Sequence, residues 1–218
     1  MGAGHTGPRT IVKICGLTRL ADARGAVEAG ADWLGFVVLG ESPRRIAIQE
    51  VAVIAGALPG VESVAVMVSP TPNQALELAT MARVRRVQLH RVDPLAWPET
   101  FPLPVTFAVP VTPDGSLGTA LPRARHLVML DAAHPTLAGG TGECVPLETA
   151  RVVAATRDVI LAGGLDATSV TEALEVVRPF GVEASSRLES APGVKDLDAV
   201  RRFVAAVRAW DERDRDRT

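Results

Sequence analysis

Short apolar runs rich in β-branched residues recur along the chain, separated by longer stretches in which apolar positions return every three or four residues. The short runs are 11–15, 33–38, 63–68, 86–89, 105–109, 127–130, 159–161 and 180–184. Continuous apolar runs of this length fit strands buried on both faces, as in a parallel sheet. Between them, 19–29, 48–57, 72–82, 146–156, 167–178 and 196–209 carry the helical period, and the first of these stops at Gly30, a residue suited to ending a helix. Strand and helix alternate throughout, which predicts a single α/β domain with eight parallel strands closed into a (β/α)8 barrel. The pattern weakens around 93–98 and 115–122. Prolines at 94, 98, 102, 104 and 110 interrupt any helix there, so the fourth and fifth units are expected to have short or irregular helices.

Composition narrows the class. A chain of 218 residues with 47% hydrophobic content can bury a full core as one domain. A net charge of −2, from 23 basic and 25 acidic residues, offers no single-sign field for a nucleic acid or a membrane surface, so the expected partner is a small metabolite. Oligomeric state is left as monomer or homodimer. The two cysteines, Cys15 and Cys144, lie in unrelated contexts without metal-ligand spacing, which points to a reducing cytoplasm and to no metal. Residues 1–10 read as a disordered leader, 11–210 as the barrel and 211–218 as a polar tail that frays or extends the last helix. The glycine spacing of Gly2, Gly4 and Gly7 mimics a dinucleotide loop but precedes the first strand instead of following one. The Met1-Gly2 start with Thr6 fits a myristoylation pattern, yet has no second membrane signal beside it.

Chemistry is expected where the strands end, because parallel barrels carry their sites at the carboxyl ends of the strands. The first run closes on Cys15 followed by Gly16, and the sixth closes on Asp131. Either residue has an ordinary alternative: a buried cysteine serves as apolar filler, and an aspartate past a strand serves as a cap. Together across one barrel mouth they form a proton acceptor and a proton donor, suited to an aldose-to-ketose rearrangement.

The blocks Lys13-Ile14-Cys15-Gly16-Leu17-Thr18, Ser42-Pro43-Arg44-Arg45-Ile46, Val87-Gln88-Leu89-His90, Leu130-Asp131, Gly139-Gly140-Thr141-Gly142 and Gly181 to Ser186 occur in an order and spacing that resembles the phosphoribosylanthranilate isomerase family of tryptophan biosynthesis. The resemblance implies a TIM barrel and a cofactor-free, Amadori-type isomerisation of a phosphorylated substrate, with Asp131 as general acid and Cys15 as general base. For that role the thiol pKa is expected to come down, helped by Arg44 or Lys13, or a minority thiolate must suffice; the aspartate must hold a proton, as a dry site favours. Arg44 is implied to hold the anthranilate carboxylate, with Arg45 solvated, and His90 either orients substrate or structures the mouth. Gly163 and Gly164 after the seventh strand, with Ser185, Ser186 and Arg187 after the eighth, are expected to bind phosphate through backbone N–H groups and a helix dipole. Gly139, Gly140 and Thr141 read as part of a mobile cover over the substrate.

Three positions depart from the family pattern: Arg187 stands where glycine is usual, Glu183 where aspartate is, and Glu143 where lysine is. They leave two rival readings, a paralogue acting on a related phosphoribosyl amine such as the histidine-pathway aminosugar, and a silent barrel that only binds a phosphorylated ligand. A carboxylate is expected at the position of Cys15 in that paralogue, so the thiol favours the first reading.

Overall fold

The structure, a computed structural model, describes residues 9–132 and 144–217. Eight parallel strands, β1 (Ile11–Ile14), β2 (Trp33–Leu39), β3 (Glu62–Val68), β4 (Arg86–His90), β5 (Val105–Val111), β6 (Leu127–Ala132), β7 (Val159–Leu161) and β8 (Gly181–Ala184), pair in sequence order and close as a barrel when β8 meets β1. Outside them lie α1 (Leu20–Ala29), α2 (Ile48–Ala57), α3 (Pro72–Met81), α4 (Leu147–Ala154), α5 (Val170–Val177) and α6 (Leu197–Asp216). A small hairpin, β9 (Glu189–Ala191) with β10 (Val194–Lys195), separates β8 from α6.

Side chains alternate along a strand, so each strand divides its residues between the barrel interior and the helix layer. One parity brings Val12, Ile14, Val159, Leu161 and Val182 into a core shared with the helices. The other fills the interior with Trp33, Val64, Ala108, Met129 and Ile160. Nearer the carboxyl ends that inward parity becomes polar, bringing in Lys13 and Cys15 of the first strand, Gln88 and His90 of β4, Asp131 of β6 and Glu183 of β8. All six are buried. The barrel thus has a buried polar layer at the carboxyl ends of its strands.

Units four and five are irregular as the prolines predict: no α-helix lies between β4 and β5, or between β5 and β6, among the described residues. Trp97 covers that flank instead, with its ring centroid 5.4 Å from Phe101 and 6.1 Å from Phe107. None of the described helices is long and apolar enough to cross a membrane.

Both ends of the domain extend beyond the boundaries read from composition. The polar segment from residue 211, read as fraying or extending the last helix, takes the second course and continues α6 to Asp216. Asp211 explains why: it is buried and accepts from the Thr10 hydroxyl at 2.6 Å, the Thr10 backbone N–H at 3.2 Å and Arg208 at 3.0 Å. At the other end Arg9 pairs with Asp32 at 2.8 Å and Thr10 is buried, so these two residues belong to the barrel and not to a leader; residues 1–8 lie outside the described part. Asp211→Ala should lower unfolding free energy by about 1–3 kcal/mol, because buried donors lose their acceptor. Glu212→Ala, on an exposed position, should change it by less than about 0.5 kcal/mol. Urea denaturation of the two variants measures the difference.

Candidate active site

Lys13 and Glu183 are Cα partners in the β1–β8 pairing, and their side chains form an ion pair inside the barrel. Two residues further along the first strand's inward row, Cys15 lies within hydrogen-bonding reach of the Lys13 ammonium. Gly35 of β2 makes this grouping possible: a Cβ there would lie 2.8 Å from Cys15 Sγ and 2.8 Å from Lys13 Nζ. Burial pulls the Lys13 pKa down, but the negative charges of Cys15 and Glu183 outweigh it, and the ammonium ends above its ordinary value.

Of the two alternatives for the thiol, a lowered pKa is not found, which leaves a minority thiolate. The thiol pKa is pushed up to about 11, because burial and then the Glu183 charge outweigh the stabilising effect of Lys13 and Lys195 on a thiolate. Arg44, expected to help, turns elsewhere. Asp131 follows the expectation for an acid: burial, reinforced by Glu183, raises its pKa to about 7. His90 is driven down to about 4 by burial, so its imidazole is neutral near pH 7, and its Nε2 lies 3.0 Å from Gln88 Nε2.

Arg44 forms a two-pronged pair with Glu189, Nε to Oε1 at 2.9 Å and an NH2 nitrogen to Oε2 at 2.8 Å. Glu189 also receives Lys195 Nζ at 2.7 Å, and Lys195 in turn donates to the Ser185 carbonyl at 3.2 Å. Burial raises the Glu189 pKa, but hydrogen bonds from Arg44 and Lys195 overcome this and hold it below its ordinary value. One carboxylate between two cations leaves a net positive charge beside the mouth. Arg45, as expected of a solvated neighbour, is exposed.

The residues expected to bind phosphate converge. Asp131, Gly163, Gly164, Glu183, Ser185, Ser186 and Arg187 line one niche of about 20 Å³, room for a water-sized group. Gly163 and Gly164 both have positive φ, +84° and +62°, left-handed backbone that favours glycine. The expected helix dipole is weaker than anticipated: α5 starts at Val170, well past Gly164, and β8 is followed by a single 3₁₀ turn, Ser186–Leu188. Arg187 is exposed at the rim of the niche. Gly139, Gly140 and Thr141, and Glu143 after them, lie outside the described residues.

The whole pattern has close relatives. The family model for N-(5'-phosphoribosyl)anthranilate (PRA) isomerase matches residues 12–206. The chain belongs to this isomerase family. An N-(5'-phosphoribosyl)anthranilate isomerase of Geobacter sulfurreducens is 40% identical over 200 residues, covering 91% of this chain and 98% of the relative. Among solved structures, the phosphoribosyl anthranilate isomerase of Thermus thermophilus superposes with a TM-score of 0.78 at 36% identity, covering 92% of this chain and 99% of that one. A further phosphoribosyl anthranilate isomerase, solved with reduced 1-(o-carboxyphenylamino)-1-deoxyribulose 5-phosphate, has a TM-score of 0.71 at 29% identity and covers 92% of this chain and 99% of that one.

Within this phosphoribosylanthranilate isomerase barrel, sequence reasoning missed the charges behind the expected pair. Glu183 was noted only as a departure, although an acidic residue two places before a strand-end serine points inward by the same alternation that places Cys15. Glu189 and Lys195 had no such signal, since a short hairpin delivers them. The raised Asp131 pKa carries a sign that can be tested. Its folded value lies above its ordinary one, so its contribution to stability is complete at acid pH and is lost as pH rises through about 7. Asp131→Asn should therefore be more stable than the parent at pH 8, by on the order of 2–4 kcal/mol, with the gap shrinking towards pH 5. Chemical denaturation at the two pH values reads it directly.

Proposed function

We propose that this family member isomerises N-(5-phosphoribosyl)anthranilate to 1-(2-carboxyphenylamino)-1-deoxyribulose 5-phosphate, with Asp131 as general acid and Cys15 as general base. The observation that carries the assignment is an aspartic acid kept half-protonated near neutrality in the same barrel mouth as a buried thiol backed by a lysine ammonium. Asp131 gives its proton to the furanose ring oxygen, the C1–O bond breaks and a protonated imine forms. Cys15 takes the proton from C2, leaving an enolamine. Its tautomerisation to the ketone completes an internal redox exchange that balances without an added oxidant.

A resting thiol with a pKa near 11 is a poor base, and the substrate supplies part of the remedy. Ring opening creates a cation at the carbon next to the one that loses its proton. A positive charge arriving beside a buried sulfur favours the thiolate just when it is needed, which adds to the effect of Lys13.

Phosphate is assigned to Gly163, Gly164, Ser185 and Ser186, with Arg187 adding charge at the rim, and His90 to orienting substrate as a neutral ring. The anthranilate carboxylate is assigned to Arg44. Because Glu189 already occupies Nε and one NH2 edge, the substrate meets the other edge of the guanidinium, and Glu189 fixes the plane of that fork. Two unpaired cysteines support a reducing compartment, the cytoplasm.

Purified protein mixed with freshly generated phosphoribosylanthranilate should consume its fluorescence, while the histidine-pathway aminosugar, run in parallel, should turn over much more slowly. Cys15→Ala and Asp131→Asn should each lose roughly 10²-fold or more in kcat with the fold intact. Arg44→Ala should raise KM more than it lowers kcat, and should lose less on an aniline analogue without the carboxylate. No turnover by the parent protein defeats the reading, and near-parental kcat in either acid–base variant removes that residue from the mechanism.

A further inference from the structure

The end of the barrel opposite the catalytic mouth holds a cavity of about 430 Å³, within the size range of small-molecule sites. Trp33, the first residue of β2, and Phe180, just before β8, lie in it with ring centroids 6.3 Å apart. The Arg86 guanidinium, from the first residue of β4, lies 4.3 Å from the Trp33 ring centroid and pairs with Glu62 at 3.2 Å. The loop before β6 and the turn before β7 complete the lining with Arg125, His126 and Arg157.

Charge in this cavity is left over. Asp158 is its one acidic lining residue, and among the described residues neither Arg125 nor Arg157 has a carboxylate at ion-pair distance. Arg157 uses its terminal nitrogens on the carbonyls of Pro122 at 2.8 Å, Arg123 at 3.0 Å and His126 at 3.1 Å, while its buried Nε finds no acceptor. Among the described residues Arg125 Nε reaches only the neighbouring imidazole, His126 Nε2, at 3.2 Å. His126 registers the surplus: burial and then the charges of Arg125, Arg123 and Arg157 lower its pKa. A barrel's amino-terminal face ordinarily serves stability, where charges of one sign without partners are a liability. Here they surround an open space floored by aromatic rings.

We propose that this cavity is a second binding site, for a small aromatic carboxylate whose ring packs on Trp33 and Phe180 and whose anion meets the terminal nitrogens of Arg125, with the Arg157 charge beside it. Guanidinium forks match a planar carboxylate, and the aromatic floor gives a ring a place that a bare inorganic anion does not use. The site does not depend on the isomerase reading, since it shares no lining residue with the catalytic niche.

The test titrates the whole protein with 2-naphthoate by calorimetry, with 2-naphthalenemethanol and inorganic phosphate as comparison probes. Expected are a naphthoate site with Kd below about 1 mM, at least roughly tenfold weaker binding of the uncharged alcohol, and a shift of the His126 ring resonances on saturation. Arg125→Ser, an exposed position outside the catalytic machinery, should weaken naphthoate about threefold to tenfold and leave turnover unchanged. Three results overturn the proposal: no naphthoate binding, binding that Arg44→Ala abolishes and Arg125→Ser does not alter, or an unmoved His126 at saturation. Phosphate moving His126 as tightly as naphthoate would overturn the aromatic specificity and leave a simple anion site.

Discussion

Barrel closure and site assembly are one event in this protein, because the seam where β8 meets β1 places Lys13 opposite Glu183. Burying two charges is expensive, by several kcal/mol per ion, and only their mutual attraction with good hydrogen bonding offsets it. A register slip of one residue at the seam would turn Glu183 out into the helix layer and leave Lys13 as an uncompensated cation in the barrel. The ion pair therefore makes one register far better than its neighbours. The same seam carries Cys15, whose backbone N–H donates to Ala184 O at 3.0 Å, and whose carbonyl accepts from the Ser185 hydroxyl at 3.1 Å.

From that pair the acid–base logic follows. Glu183 disfavours negative charge on both Cys15 and Asp131, and burial does the same, so both groups are neutral in acid. As pH rises, Asp131 gives up its proton near 7 and the thiol near 11, and over the interval between them the pair holds one proton. In the proposed mechanism the productive arrangement also holds one proton, on Asp131 with the thiolate at Cys15. It is a minority tautomer of the resting state, which the cationic intermediate draws upon during reaction.

Much of this was legible in the chain. Alternating apolar runs gave the strands to within two residues at most ends, and strand-end position located Cys15 and Asp131. Arg9 and Thr10 were misread as leader and the last segment was left open between fraying and helix, because composition reports only polarity: Asp211 is an acidic residue in an acidic and basic run, yet it is held by Thr10, which lies 201 residues away. For a related reason the chain did not decide between a lowered thiol pKa and a minority thiolate. Lys13 was visible two residues away, but the stronger influences on Cys15 are burial and a carboxylate from the far end of the chain. Arg44 likewise finds Glu189 only through a hairpin whose path the periodicity does not reveal.

The most direct test of the one-proton state is the pH dependence of kcat/KM for phosphoribosylanthranilate, after the titration of the substrate's own phosphate has been divided out. If catalysis needs one proton shared by Asp131 and Cys15, kcat/KM rises about tenfold per pH unit up to about 7 and then stays level to at least pH 9. A peak near 7 with a falling limb directly above it would contradict the account, since it would mean that the base is already deprotonated when Asp131 ionises.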